Sequence, residues 1–300
     1  MASPVRILVT GGAGQVGREL LRHPWPADVT VLAPGRETLD LTDGASVARW
    51  LDANPVDAVI NSAAYTAVDR AETEVGEAFA ANAQGPAILA DLTRRASIPL
   101  LQVSTDYVFD GKSESGYREG DPVAPLGVYG ASKLAGELAV RTGNPRAIVL
   151  RTAWVLSPHR NNFLKTMLRL AGDREEISVV SDQHGCPTSA RDIADALATV
   201  SLRMIADRSA PTGVYHFVNA GETSWAGLAS TIFDLSRSLQ GPSARVKAIA
   251  SSEYPTPARR PANSRLACGK IEADYGITPK PWPSAVEGIV NELLLKGFAR

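Results

Sequence analysis

Cysteine is nearly absent from this 300-residue sequence: Cys186 and Cys268 are the only two, far apart and without metal-ligand spacing. That excludes a disulfide framework and favours reduced thiols in a cytoplasmic protein. Histidine is scarce as well, and none of the four has a partner at metal-binding spacing; His184, in the Asp-Gln-His-Gly stretch, is read as structural. No sign of charge dominates, since the formal net charge is −1. Without a basic field, neither nucleic acid nor an anionic membrane is an expected partner. No apolar run approaches the ~20 residues of a membrane span. The N-terminus enters VRILVTGG without the basic region, apolar segment and cleavage site of a secretory signal. Internal repeats are lacking too.

The rest is the balance of an ordinary globular protein, 44% apolar and 21% charged, in a chain long enough for one or two domains. Short β-branched runs alternate with helical patterns through the first half. The runs are Val5 to Thr10, Val29 to Leu32, Ala58 to Asn61, Pro99 to Ser104 and Ala147 to Arg151; the helical stretches are Gly14 to Arg22, Asp43 to Asn54, Asp69 to Ala96 and Tyr129 to Arg141. Strands this apolar are buried on both faces, as in a parallel sheet with helical crossovers. The expected class is therefore α/β, a doubly wound, Rossmann-like parallel sheet. Beyond Arg151 the regular order ends. A dinucleotide-binding domain over 1–155 and about 189–219, with a smaller, discontinuous substrate-binding lobe over about 156–188 and 220–300, fits the pattern.

Thr10 to Gly17 reads TGGAGQVG, directly after the first strand and opening a helix. Glycines there allow positive φ and close backbone approach, and the helix start offers free N–H groups to a pyrophosphate. The second strand runs into Ala33-Pro34-Gly35-Arg36. With no acidic residue at its end, and with Arg36 able to face a 2′-phosphate, the choice tilts toward NADPH over NADH, although Arg36 is equally readable as a solvated loop residue.

Ser104-Thr105-Asp106 ends the fourth strand, at the edge where ligands of such sheets bind, and Tyr129-Gly-Ala-Ser-Lys133 opens a later helix. Four residues is just over one turn, so phenol and ammonium share a helical face. A nearby cation is expected to lower the tyrosine pKa and suit Tyr129 to protonate a carbonyl oxygen as hydride arrives at its carbon. Thr105, with Ser104 as the less favoured choice, can hydrogen-bond that same oxygen.

Longer segments carry a resemblance. GGAGQVGREL, DLTD at 40–43, NSAAYTAVDRAE at 61–72, ANAQGPAILA at 81–90, STDYVFDG at 104–111, PLGVYGASKLAGE at 125–137, RTAWV at 151–155, DQHGCPTSARDIADA at 182–196 and EYPTPARRPANS at 253–264 resemble the dTDP-4-dehydrorhamnose reductases, which are extended short-chain dehydrogenases. The resemblance covers essentially the whole chain. It implies reduction of dTDP-4-dehydro-6-deoxy-L-mannose to dTDP-L-rhamnose in the cytoplasm. It further implies that Gly11, Gly14, Gln15, Val16 and Gly17 hold the pyrophosphate, that Asp40 and Leu41 lie by the adenine, and that Ala63, Ala64 and Tyr65 line the cofactor. Lys133 would also bind the nicotinamide ribose. Val68, Tyr107, Trp154 and Asn162 would approach the sugar nucleotide, Trp154 by stacking on a ring, and Arg259 or Arg260 would meet its diphosphate.

Some relatives are dimers joined by magnesium on interface glutamates. Glu19 and Glu292 match two such positions, but Arg191 stands at the third, where a cation opposes a cation; ordinary surface charges are the preferred reading, in a monomer or homodimer. A dehydratase would need an Asp-Glu pair after Thr105, and here Tyr107 follows Asp106. Reductases of other dTDP-4-ketodeoxysugars share these motifs, and the non-catalytic regulatory subunit of methionine adenosyltransferase resembles them as well.

Overall fold

A computed structural model describes residues 4–295. In chain order the first half is β1 (Val5–Thr10), α1 (Gln15–Arg22), β2 (Val29–Leu32), α2 (Gly44–Ala53), β3 (Ala58–Asn61), α3 (Val68–Ala71), α4 (Val75–Phe79), α5 (Gly85–Arg95), β4 (Leu100–Thr105), α6 (Val128–Gly143) and β5 (Ala147–Thr152). The second half is β6 (Val155–Leu156), α7 (Phe163–Ala171), β7 (Glu176–Val180), β8 (His184–Gly185), β9 (Thr188–Ser189), α8 (Ala190–Ala206), β10 (Gly213–His216), β11 (Thr223–Ser224), α9 (Trp225–Ser238), β12 (Arg245–Ile249), α10 (Gly269–Tyr275) and α11 (Trp282–Leu295). Among the described residues no helix is long and apolar enough to cross a membrane.

Six strands form one all-parallel sheet in the order β10-β5-β4-β3-β1-β2. The strand order reverses beside β1, so the crevice at the carboxyl ends of β1 and β3 is the place where such sheets receive ligands. Both faces are covered. Ile7, Val9, Ile60, Leu101 and Ile148 pack with Ile193, Leu197 and Val200 of α8 on one side, while Leu8, Val59, Leu100 and Val149 pack with Leu89 and Val140 of α5 and α6 on the other. Every residue of β3 and β5 is buried, the physical counterpart of their unbroken apolar runs.

A second core lies apart from the sheet. Leu156, Leu164, Leu168, Ile177, Leu228, Ile232, Phe233, Val286 and Val290 bring together α7, β7, α9 and α11, and β7 pairs in parallel with β12. The tail does not go wholly to this lobe. Ile271 and Tyr275 of α10 pack into the main sheet core, and the Tyr215 hydroxyl of β10 donates to Asp274 at 2.7 Å.

The long helical stretch expected over 69–96 is broken into α3, α4 and α5, with a π turn at Ala80–Gln84. Pro86 accounts for the π turn, while the interruption between α3 and α4 falls at 72–74. The proline has no N–H for the carbonyl of Asn82, four residues back, and the Gly85 N–H reaches instead to Ala80, five residues back.

Candidate active site

The glycine loop is shaped by close approach. Gly11 sits at φ +74°, and a Cβ there would lie 2.6 Å from the Ala63 nitrogen; a Cβ on Gly17 would lie 2.2 Å from the Gly11 carbonyl. No side chain fits at either place. Gly14 is the N-cap of α1 in extended conformation, with no side-chain cap. The first-turn N–H groups of this helix, those of Gln15, Val16 and Gly17 among them, therefore have no intrahelical partner and suit an anion. These are the features that a dinucleotide pyrophosphate requires, so the loop fits that group.

The side chains expected beside a cofactor differ in what they touch. Ala63, Ala64 and Tyr65 follow β3, next to Gly11. Asp40 accepts both the N–H and the hydroxyl of Thr42, at 2.9 and 2.8 Å, and those bonds hold its carboxyl below the usual range. Leu41 packs on Gly85. Arg36 is 84% exposed with its Nε 3.9 Å from Asp40, a loose contact that leaves the guanidinium able to turn. Gln15 is committed to the second lobe, its Oε1 accepting from Ser157 and from Asn162, each at 2.9 Å. Asn162 also caps α7, so its side chain ties the two lobes together at the cofactor loop.

A chain of buried amides runs beneath the crevice. The Thr10 hydroxyl donates to Asn61 at 2.5 Å, Asn61 to Gln102 at 2.6 Å, and Gln102 to the Val103 carbonyl at 2.9 Å. Lys133 Nζ donates to that same carbonyl at 2.7 Å. The ammonium is buried, and burial draws its pKa down to about 8, with Glu137 opposing.

Tyr129 and Thr105 meet above this layer. Thr105 lies close enough to the phenol to influence its ionisation, and the Tyr107 ring meets the Tyr129 ring edge-on at 5.4 Å between centroids. The tyrosine pKa is not lowered as the Tyr-x-x-x-Lys spacing suggests. Burial pushes it well above its ordinary value; the Thr105 hydroxyl opposes this, while Asp106 adds to it. The ammonium that was to lower it is engaged with Val103, and the free protein holds Tyr129 as a neutral proton donor.

Ser104 drops out as an alternative to Thr105. Its hydroxyl donates to Glu137 at 2.5 Å, and Glu137 pairs with Arg151 at 2.6 Å, both side chains buried.

Among the residues expected to meet a substrate, Arg260 donates to the Tyr107 hydroxyl at 3.1 Å and to Asp69 at 2.7 Å. Asp69 thus anchors the proline-rich segment over α3, close to Val68, while Arg259 is exposed. Trp154, at φ +49°, stacks on Trp225 with ring centroids 3.6 Å apart, and Gly185 presses close to its indole. Its stacking surface is thus taken by protein, and its rim is what a ligand can meet.

Glu19 and Glu292 do come together, around a protein cation. Arg22 Nη1 lies 3.6 Å from Glu19 and 3.0 Å from Glu292, and His159 Nε2 is 3.2 Å from Glu19. Exposed Arg191 lines the same hollow. Such a set does not fit magnesium, and among the described residues no group of three or more His, Cys, Asp or Glu could hold a metal.

Asn82, which motif reading did not single out, connects two halves of the site. Buried in the π turn, it accepts the Tyr65 N–H at 2.8 Å and donates to the Tyr65 carbonyl and to Ser132, each at 3.0 Å. Gly136 of α6 lets its backbone close in, since a Cβ there would lie 2.0 Å from the Asn82 carbonyl. Asn82→Ala strands the Tyr65 N–H and carbonyl, while Ser132 keeps its bond to the Tyr129 carbonyl at 2.8 Å; the substitution is expected to cost about 1–3 kcal/mol. Dinucleotide affinity, followed by fluorescence titration, should fall; an unchanged dissociation constant would remove Asn82 from this role.

Comparison with known proteins gives the family. The family described as RmlD substrate binding domain matches residues 5–295. A dTDP-4-dehydrorhamnose reductase of Sinorhizobium fredii is 45% identical over 295 residues, covering 98% of this chain and 99% of the relative. Among solved structures, a dTDP-4-dehydrorhamnose reductase from Clostridium acetobutylicum superposes with a TM-score of 0.90 at 34% identity, covering 97% of this chain and all (100%) of that one. Another, from Bacillus anthracis in complex with NADP, gives 0.89 at 33% identity, covering 96% and 99%.

Proposed function

This chain belongs to the RmlD substrate binding domain family, and from that membership we propose that it is an NADPH-dependent reductase converting dTDP-4-dehydro-6-deoxy-L-mannose to dTDP-L-rhamnose. The observation that carries the chemistry is the meeting of Thr105 and Tyr129 at the carboxyl end of β4, with buried Lys133 one helical turn along α6. NADPH, bound along the glycine loop, supplies hydride to C4 of the sugar. Tyr129 gives its proton to O4, and its high proton affinity keeps that proton in place until charge develops on the oxygen. Thr105 hydrogen-bonds the same oxygen. Lys133, held by the Val103 carbonyl, stands ready for the nicotinamide ribose. Arg36 faces the 2′-phosphate, and Arg260, already fixed by Asp69, meets the diphosphate while Tyr107 and Val68 border the sugar. The rim of Trp154 and the Asn162 bridge close the site.

The experiment is an absorbance assay of purified protein with the epimeric dTDP-4-ketosugars, NADPH and NADH being run in parallel. Oxidation of NADPH with the L-mannose epimer is expected, with NADH slower. Turnover of a different epimer would move the substrate assignment. If no ketosugar is reduced and the protein binds another protein tightly, it is a regulatory subunit and no enzyme.

A further inference from the structure

Asp106 is the unexplained group of the site. It is 3% exposed, it follows Thr105 directly, and its Oδ2 makes no hydrogen bond among the described residues. A carboxyl so placed has a consequence for its neighbour. Thr105 Oγ1 carries one proton and two lone pairs; it donates to Asp106 Oδ1 at 3.0 Å and accepts the Tyr107 N–H at 3.2 Å. An ionised carboxylate can only accept, so this polarity is forced whenever Asp106 is charged. In that state Thr105 has no proton left for a sugar oxygen.

We infer that Asp106 is a positioning residue whose protonation reverses the Thr105 hydroxyl, and that the reductive step proceeds from the form in which Asp106 carries a proton. The inference rests on the function proposed above. In the protonated form Asp106 donates to Thr105, and Thr105 turns its own proton toward the cleft, where it meets the sugar oxygen. When hydride reaches C4, the C4–O π pair moves onto O4, the Tyr129 O–H bond breaks, the O4–H bond forms, and Thr105 donates to that same oxygen. Thr105 and Asp106 keep their own protons throughout.

The surroundings place the titration in an accessible range. Burial raises the Asp106 carboxyl to about 6, against the lowering effects of Ser264, Thr105 and the local backbone N–H groups. The titratable groups packed near it are Tyr107, Tyr129 and Cys186, each of which its negative charge makes harder to ionise. Cations on the neighbouring elements are engaged elsewhere, Lys133 with Val103, Arg151 with Glu137 and Arg260 with Asp69.

The test compares wild type with Asp106→Asn, Thr105→Val and the double variant, using NADPH and the reduced dTDP-4-ketosugar. Wild-type kcat should fall between pH 5 and 8 by about tenfold or more, the scale of losing one donor at a developing charge. The asparagine amide donates to Thr105 at every pH, so Asp106→Asn should lose that limb. Thr105→Val should lose it too, because no hydroxyl remains to reverse, and adding Asp106→Asn to Thr105→Val should change nothing further. A readout without turnover is the 13Cζ resonance of Tyr129, assigned with Tyr129→Phe, in the NADPH-bound protein. It should inflect near pH 6 in wild type and lose the inflection in Asp106→Asn. A kcat limb near pH 6 that persists in Thr105→Val overturns the inference even if Asp106→Asn does not fold. An inflection without reduction of any ketosugar leaves the inference standing and overturns the proposed function instead.

Discussion

Replacing Tyr129 by phenylalanine is expected to lower kcat by about 10²- to 10⁴-fold, the range of a positioned proton donor, with little change in NADPH affinity. Only the hydroxyl is removed. The edge-on packing against Tyr107 is kept, and the layer of Thr10, Asn61, Gln102 and Lys133 beneath the site does not touch the phenol. Fluorescence titration with NADPH and a thermal melt should therefore match wild type while steady-state turnover collapses. A near-normal kcat with intact cofactor binding would mean that the proton comes from elsewhere and that burial of the phenol serves packing alone.

The features legible in the sequence are those set by local spacing. Strands β1 and β3 to β5 announce themselves because burial on both faces leaves no polar alternation. The glycine loop is legible because Gly11 and Gly17 have no room for a Cβ. Tyr129 and Lys133 are placed on one helix by their separation, but that separation does not say what the ammonium touches. The Val103 carbonyl lies 30 residues away in sequence, and it, together with burial, decides the electrostatics of the pair. The same holds for Asp69 and Arg260, joined across 191 residues, for Asn82 and Ser132 across 50, and for the stacking of Trp154 on Trp225. Such contacts are made by the fold, so motif reading finds one partner at most. Pro86 is an intermediate case. Its missing N–H is visible in the sequence, yet only the bridge from Asn82 to Tyr65 and Ser132 gives the resulting π turn a purpose.

The largest stability effect should come from Arg151, a residue that touches no expected ligand. Its guanidinium donates to Glu137 from Nε at 2.9 Å and from Nη2 at 2.6 Å, lies over the Phe109 ring at 5.0 Å, and is 2% exposed. Arg151→Met would leave the Glu137 carboxylate buried with the Ser104 hydroxyl as its one remaining hydrogen-bond donor among the described residues and the Lys133 ammonium as the nearby countercharge. Breaking such a pair from one side costs about 3–5 kcal/mol, which for a chain of this size is a fall in Tm on the order of 10 °C. Removing both charges is a different matter. Glu137→Leu with Arg151→Met replaces the pair by apolar volume and should recover most of the loss, because desolvation of two ions is avoided. The double variant should still be a poorer reductase than its stability suggests, since Ser104 loses its anchor one residue before Thr105 and Lys133 loses the charge that sustains its proton affinity. Calorimetry on the two single variants and the double variant separates these effects. If Arg151→Met melts within about a degree of wild type, the carboxylate has found another partner and the pair is not what holds the end of β4 in register with β5.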